Sequence, residues 1–220
     1  MRETSAGRSN ANTSFEKAIA GTLPLRWRTR TRFHCHYTRA RVTAQCVSRS
    51  LVTQLLADAR ELARSYTHPV SKRRVLGTDG FQLLLIQRLR ASARSARVPL
   101  VNHLLRRFST AVYGTEIGNE VTLGDGVNFI HPMAVVIGGD AKVGARVRFM
   151  GSNTVGTAKD NGYPVIEDDV MVGAGARILG PVRIGAGAII GANAVVLHDV
   201  PAGAVVTGVP GVVRERSTHD

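Results

Sequence analysis

The side chains best suited to acid–base chemistry lie in two stretches that interrupt a regular repeat. The first stretch, residues 130–136, contains His131 followed by Pro132. The second, residues 156–165, contains Thr157 and Tyr163. Loops that leave a regular scaffold often carry function. An imidazole has its unperturbed pKa near neutrality, so His131 is a candidate for taking a proton from a substrate hydroxyl.

The repeat that these stretches interrupt has a period of six residues. Apolar residues, mostly aliphatic, occupy positions 117, 123 and 129, then 137 to 155 and 166 to 202 in steps of six, and glycine often follows. Each hexad is one short strand plus a corner, and three hexads make a triangular coil whose backbone bonds to the next. Glycine suits corners that need a positive φ or a close backbone approach. The pattern predicts a mainly β fold, a left-handed parallel β-helix of about five coils over residues 114–210, with Ala176, Ala188 and Ala194 pointing inward.

Residues 51–113 have a helical pattern. Leu51, Leu55, Leu62 and Tyr66 recur at helical spacing, and Pro69 and Gly77 mark a break. We expect Asp79 to cap a second helix over residues 81–96, Pro99 to end it, and a third helix to cover 101–112. This small α-helical region would precede the β-helix.

Residues 1–50 have a composition typical of a basic, disordered leader. They hold ten Lys and Arg against two Asp and Glu, without apolar periodicity. His34, Cys35, His36 and Cys46 lack a second closely spaced pair, so a zinc site is disfavoured. Translation starting near Leu51 or Val52 is a further hypothesis. Residues 211–220 are expected to form a C-terminal tail.

Charge and hydropathy exclude several classes of protein. The net charge is +13, but residues 114–220 carry eight basic and eleven acidic residues, which disfavours nucleic acid as the main partner. No apolar run approaches the ~20 residues of a membrane span. With two cysteines in 220 residues, a cytoplasmic protein without structural disulfides is expected.

The repeat region resembles the serine acetyltransferase branch of the hexapeptide-repeat acyltransferases. The matching segments begin at residues 114, 131, 173, 191 and 208 and read GTEI, HPMAVVIG, GAGARILG, GANAVV and GVP. The resemblance implies a trimer or dimer of trimers, with acetyl-CoA between neighbouring β-helices and no metal. By the same resemblance, His131 is the base that activates an acceptor hydroxyl, and Glu116 is the carboxylate that orients it.

Three departures from the family pattern concern the acceptor. The family places an aspartate before the catalytic histidine, where this chain has Ile130, and Arg-His before the proline of the second loop, where this chain has Gly162 and Tyr163. Those charged groups hold the ammonium and carboxylate of serine, so their loss favours a sugar, an amino sugar or another small alcohol over serine. Tyr163 could bond to such an acceptor, or its ring could simply close the loop.

The coenzyme contacts implied by the resemblance involve backbone and small side chains. Gly156, Thr157, Ala174 and Ala192 would line the pantetheine channel, and Arg214 would meet a CoA phosphate. Alternatively, Arg214 is an exposed charge on a fraying tail. His198 is expected to be a solvated surface residue.

Two other classes of function compete with an acetyltransferase. A carbonic anhydrase-like metalloenzyme needs three converging histidines, but residues 114–220 offer only His131, His198 and His219. A non-catalytic trimeric scaffold is compatible with the lost acceptor charges, although the retention of His131 and Glu116 argues against it.

Overall fold

The computed structural model describes residues 50–65 and 71–214. The predictions made for residues 1–49, Tyr66, Pro69 and residues 215–220 lie outside this described part of the chain. In this described part four helices come first: α1 Leu51–Ser65, α2 Lys72–Leu76, α3 Asp79–Ser95 and α4 Pro99–Tyr113. The expected helical region before the β-helix is therefore confirmed, with one short helix more than the pattern indicated.

Two predicted helix ends differ from the structure. The cap of α3 is Thr78, whose hydroxyl accepts from the backbone N–H of Phe81 at 3.3 Å, and Asp79 is the first helical residue. Pro99 begins α4 instead of ending α3. Proline fits the first helical position because its φ is already helical and its missing N–H would have no partner there.

Fifteen short strands follow the helices. Their bounds are β1 Glu116–Ile117, β2 Thr122–Leu123, β3 Asn128–Phe129, β4 Val136–Ile137, β5 Lys142–Val143, β6 Arg148–Phe149, β7 Thr154–Gly156, β8 Val165–Ile166, β9 Met171–Val172, β10 Arg177–Leu179, β11 Arg183–Ile184, β12 Ile189–Ile190, β13 Val195–Val196, β14 Val205–Thr207 and β15 Val212–Arg214.

The strands form three parallel sheets that are the sides of a prism. Sheet 1 contains β1, β4, β7, β10 and β13, and sheet 2 contains β2, β5, β8 and β11. Sheet 3 contains β3, β6, β9, β12, β14 and β15, and only its last strand, β15, is antiparallel to its neighbour. Up to β13 each strand pairs with the strand three positions later, as β1 pairs with β4 through Ile117 and Ile137. At the end of the prism β12 pairs with β14 instead. These are the five coils predicted from the six-residue period, and the predicted fold class is confirmed.

The prism interior is filled by the leading aliphatic residue of each hexad. The predicted inward alanines, Ala176, Ala188 and Ala194, are fully buried. Phe129 and Phe149 stack with their ring centroids 5.4 Å apart. Glycine after the aliphatic position serves close approach, since a Cβ at Gly173 would lie 2.6 Å from a backbone nitrogen of the next coil.

The last predicted hexad position is wrong. Residue 202 was expected to point inward, but Ala202 is exposed and Val200 and Val206 are the buried residues. Val200 pairs with Ile184, so the corner after β13 is two residues short. The Asp199 carboxylate accepts from the backbone N–H of Arg183 at 2.7 Å, which replaces part of the missing strand.

The helices cover the open end of the first coil through buried charges. Arg88 of α3 donates to the carbonyls of Leu123 and Gly124, both at 2.7 Å, and pairs with Asp58 of α1. Strand-edge carbonyls need such donors because no further coil lies beyond them. The helices and the first coil therefore share one continuous core.

A second buried arginine completes this junction. Arg90 is fully buried and donates to the carbonyl of Ile117 at 3.0 Å and to the Asn119 side chain at 3.0 Å. Burial, reinforced by the neighbouring Arg94 and Arg106, lowers the pKa of Arg90 to about 10. The site that begins at the first coil is thus anchored to α3.

Candidate active site

Corners from successive coils stack into edges of the prism, and one edge carries His131. We call this edge, residues 130–135, 150–153, 173–176 and 191–194, the histidine edge. Ser152 N–H donates to the carbonyl of Met133 at 2.9 Å, and Asn193 N–H donates to that of Ala174 at 2.8 Å. The stacking places His131, Ala174 and Ala192 on the same edge of the prism, where a channel could pass the base.

The His131 loop is held from both sides. The buried Thr115 hydroxyl bonds to the carbonyl of Pro132 and accepts from Val135 N–H at 3.3 Å. On the other side Gly151 has φ +112°, and a Cβ there would lie 3.1 Å from the His131 Cβ. The loop backbone is therefore fixed while the imidazole stays exposed.

Glu116 lies at the start of sheet 1 with a different partner. Its carboxylate forms an ion pair with Arg106 of α4, and half of its side-chain area is exposed. Among the described residues no side chain hydrogen-bonds to the His131 ring. The contact between His131 and Glu116 stays a prediction, while the pairing with Arg106 is an arrangement that the sequence did not indicate.

The second loop lies at the other end of sheet 1. It joins β7 to β8, so Gly156 and Thr157 are separated from the histidine edge by the width of that sheet. Within the described part of the chain, the buried Thr157 hydroxyl has no hydrogen-bond partner. A buried hydroxyl without a partner is unfavourable and marks a place where a bound molecule could supply one.

Tyr163 packs its ring on the backbone of the preceding coil. A Cβ at Gly139, which has φ +55°, would overlap the ring, and one at Gly138 would lie 3.3 Å from it. The absence of side chains at Gly138 and Gly139 thus leaves the space that the ring occupies, and Tyr163 is half-buried against the core. This geometry favours the loop-closing alternative for Tyr163.

Ile130 lines a shallow pocket between the helices and the first coil. The pocket has a volume of about 360 Å³ and is also lined by Thr78, Asp79, Asn128 and Phe129. Asp79 therefore brings a carboxylate close to Ile130. Burial, with a smaller contribution from Asp79, raises the pKa of Tyr113.

Two residues near the C-terminus have partners that the sequence did not indicate. Arg214 lies in β15, which pairs antiparallel with β14 opposite Val205, so ordered structure passes the predicted end of the β-helix at residue 210. His198 is exposed, but its Nε2 lies 2.8 Å from the carbonyl oxygen of Gly211, so it is tied to the backbone. Arg214, in sheet 3, is not brought to the histidine edge.

Metal and membrane features can be stated only for residues 50–65 and 71–214. In these ranges no three His, Cys, Asp or Glu side chains converge as a metal site would require. Nor does any helix there have the length and apolarity to cross a membrane. His34, Cys35, His36, Cys46 and His219 lie outside them.

Comparisons with known proteins identify the class and the family. The family model "Bacterial transferase hexapeptide (six repeats)" matches residues 163–198. A serine acetyltransferase of Synechococcus elongatus is 40% identical over 141 residues, 63% of this chain and 58% of that protein. One from Bacillus subtilis is 34% identical over 159 residues, 71% of each chain.

Solved structures agree with these relatives. A soybean serine acetyltransferase complexed with serine superposes with a TM-score of 0.67 at 33% identity, covering 75% of this chain and 70% of that one. A serine acetyltransferase in complex with CoA gives 0.69 at 26% identity, with the same coverage. The fold is thus the left-handed β-helix of the hexapeptide-repeat transferases. Within that class, the chain belongs to the serine acetyltransferase family.

Proposed function

We propose that this protein transfers the acetyl group of acetyl-CoA to the hydroxyl of serine, with His131 as general base. The observation that carries the proposal is the exposed His131 on one edge with the small side chains of Ala174 and Ala192, in a member of this family. The relatives and the serine complex favour serine over the sugar acceptors.

The chemistry requires one proton to move twice. The neutral imidazole of His131 takes the acceptor hydroxyl proton as the oxygen attacks the thioester carbonyl. The tetrahedral intermediate then collapses, and the C–S bond breaks. The imidazolium returns the proton to the departing CoA sulfur, so no acyl-enzyme forms and His131 ends neutral.

The coenzyme is proposed to run along the histidine edge and the adjoining sheet 1. Ala174 and Ala192 are exposed and have only methyl side chains, so a thin pantetheine arm can lie close to the coil. The unpartnered Thr157 hydroxyl and the backbone of Gly156 would bond to its polar groups. Arg214 lies on sheet 3, away from this edge, so the predicted contact with a CoA phosphate is not part of the proposed path.

An assembly of at least three chains is part of the proposal. The outer side of α4 exposes three large apolar residues. Leu100 is 66% exposed, Leu104 is 58% exposed and Phe108 is 53% exposed. Large apolar side chains in one stripe favour coverage by another chain. A neighbouring β-helix would also close the cleft in which Glu116 is expected to reach His131. A cytoplasmic location stays a prediction from the cysteine content.

The experiment is a thiol-release assay on the full chain with acetyl-CoA, offering serine and a panel of amino sugars. We expect His131→Asn to lower kcat by about 10²- to 10⁴-fold, the usual contribution of a general base. His103→Asn, at an exposed histidine of α4, is the matched control and should match wild type. Thiol release with amino sugars but not with serine would show that the acceptor is an amino sugar. No thiol release with any acceptor would favour the non-catalytic scaffold.

A further inference from the structure

Arg177 is a fixed cation on the outer side of sheet 1. It is the first residue of β10 and pairs in register with Thr154 of β7. Its Nη1 donates to the carbonyl of Ser152 at 2.7 Å and to the Thr154 hydroxyl at 2.8 Å. The guanidinium therefore bends back by one coil instead of extending freely into solvent.

This bend brings the guanidinium towards His131. Ser152, which anchors Arg177, donates its own N–H to the carbonyl of Met133, two residues after His131. Gly151, next to Ser152, packs against His131 itself. The guanidinium thus lies at the coil next to that of the His131 loop, about 4.8 Å further along the prism axis, as neighbouring strands are spaced.

The guanidinium of Arg177 has N–H groups that are not used in these two hydrogen bonds. In the described part of the chain no carboxylate pairs with it, and the nearest acid of sheet 1, Glu116, is paired with Arg106. Only Nη1 is engaged, so Nη2 and Nε can still donate. The histidine edge itself, residues 130–135, 150–153, 173–176 and 191–194, contains no lysine or arginine, and Arg177 follows its third corner directly.

We propose that Arg177 binds the carboxylate of the acceptor, an inference that rests on the proposed function. The acceptor hydroxyl must lie within hydrogen-bond reach of His131, so its carboxylate falls within one coil of that ring. The part of acetyl-CoA this close to the base is the uncharged thioester, which leaves the acceptor as the anion. A planar fork pairs with a carboxylate in a bidentate manner.

Arg177 would supply the positive charge that an acceptor carboxylate needs, in a chain that lacks the arginine of the second loop. Gly162 and Tyr163 stand in the place of the family's Arg-His pair. A cation anchored on β10 needs no loop to hold it, because two hydrogen bonds to the preceding coil already orient it.

The test compares serine with serinamide, which has the same hydroxyl and amine but no carboxylate. In wild type, serine should have the lower KM. In Arg177→Gln, the KM for serine should rise about 10- to 100-fold, the range expected for losing a charged hydrogen-bonded pair. The KM values for serinamide and acetyl-CoA should stay within about twofold, because the groups that they bring near the guanidinium carry no negative charge to pair with it.

Two further variants sharpen the result. Arg148→Gln removes an arginine from the same strand position on sheet 3, and it should leave every KM unchanged. Arg177→Lys keeps the charge but loses the fork, so its KM for serine should lie between wild type and Arg177→Gln. Thermal unfolding of each variant shows whether the coil is intact.

Equal rises for serine and serinamide, no rise for either, or a rise for acetyl-CoA instead would each overturn the assignment. Calorimetric titration with serine separates it from the proposed function. If wild type binds serine and Arg177→Gln does not, the assignment stands even where no thiol is released. If wild type neither binds nor acetylates serine, both fail.

Discussion

Breaking the buried ion pair between α1 and α3 should destabilise the junction that supports the first coil. Asp58 is fully buried, and its carboxylate accepts from Arg88 at 2.9 and 3.0 Å and from the backbone N–H of Gly126 at 2.8 Å. Asp58→Asn leaves the Arg88 guanidinium, only 6% exposed, with two carbonyls and no counter-charge. We expect a loss of about 3–5 kcal/mol, as found when one partner of a buried pair is removed.

The assay is urea unfolding followed by circular dichroism, at one protein concentration because assembly contributes to stability. Glu61→Gln is the matched control, since it makes the same change on the same helix. Its partner Arg64 is 77% exposed, so this pair should contribute no more than about 0.5 kcal/mol. An Asp58→Asn loss as small as that of the control would refute the role given to the buried pair.

Three other substitutions test local features. Gly151→Ala places a methyl group against His131 at a φ of +112°. It should lower the free energy of unfolding by about 1–3 kcal/mol, seen as a lower melting temperature, and it should also lower kcat. An unchanged kcat would contradict the tight packing. Tyr163→Phe should retain stability and activity because the ring does the packing, whereas Tyr163→Ala should lose both in unfolding and turnover assays; a Phe variant as impaired as Ala would point to the hydroxyl. The Arg146 guanidinium holds the pKa of Asp169 below its ordinary 3.8, so this carboxylate stabilises the fold above that pH and ceases to as the pH falls through its folded value. Asp169→Asn should therefore lose at most about 1 kcal/mol at pH 7, as for exposed pairs, and the difference from wild type in urea unfolding should vanish in acid; a gap that persists in acid would contradict this.

The fold could be predicted because its determinants are local. The residue types within each hexad determine which residue points inward and where the corner lies, and stacking repeats the same contacts from coil to coil. The period from Ile117 to Val196 was therefore enough to predict the architecture. The period failed at residue 202, where the Asp199 side chain takes over a backbone role that no periodic pattern encodes.

The candidate site could be predicted only as far as its backbone. An interruption of the repeat located His131, and the stacking of coils places Ala174 and Ala192 at corners on the same edge of the prism. The partners of charged side chains could not be predicted, because they come from different elements whose packing the pattern does not specify. Glu116 pairs with Arg106 of the preceding helix, and Arg88 pairs with Asp58, 30 residues earlier.

The sequence by itself determined the coil, its period and the point where a histidine leaves it, since these follow from residue types a few positions apart. Only the tertiary structure decided which charges meet. Ion pairs and hydrogen bonds of long side chains depend on where those side chains end in space, as when Arg177 donates to the carbonyl of Ser152, 25 residues earlier. That is a property of stacked coils and packed helices and not of neighbouring residues in the chain.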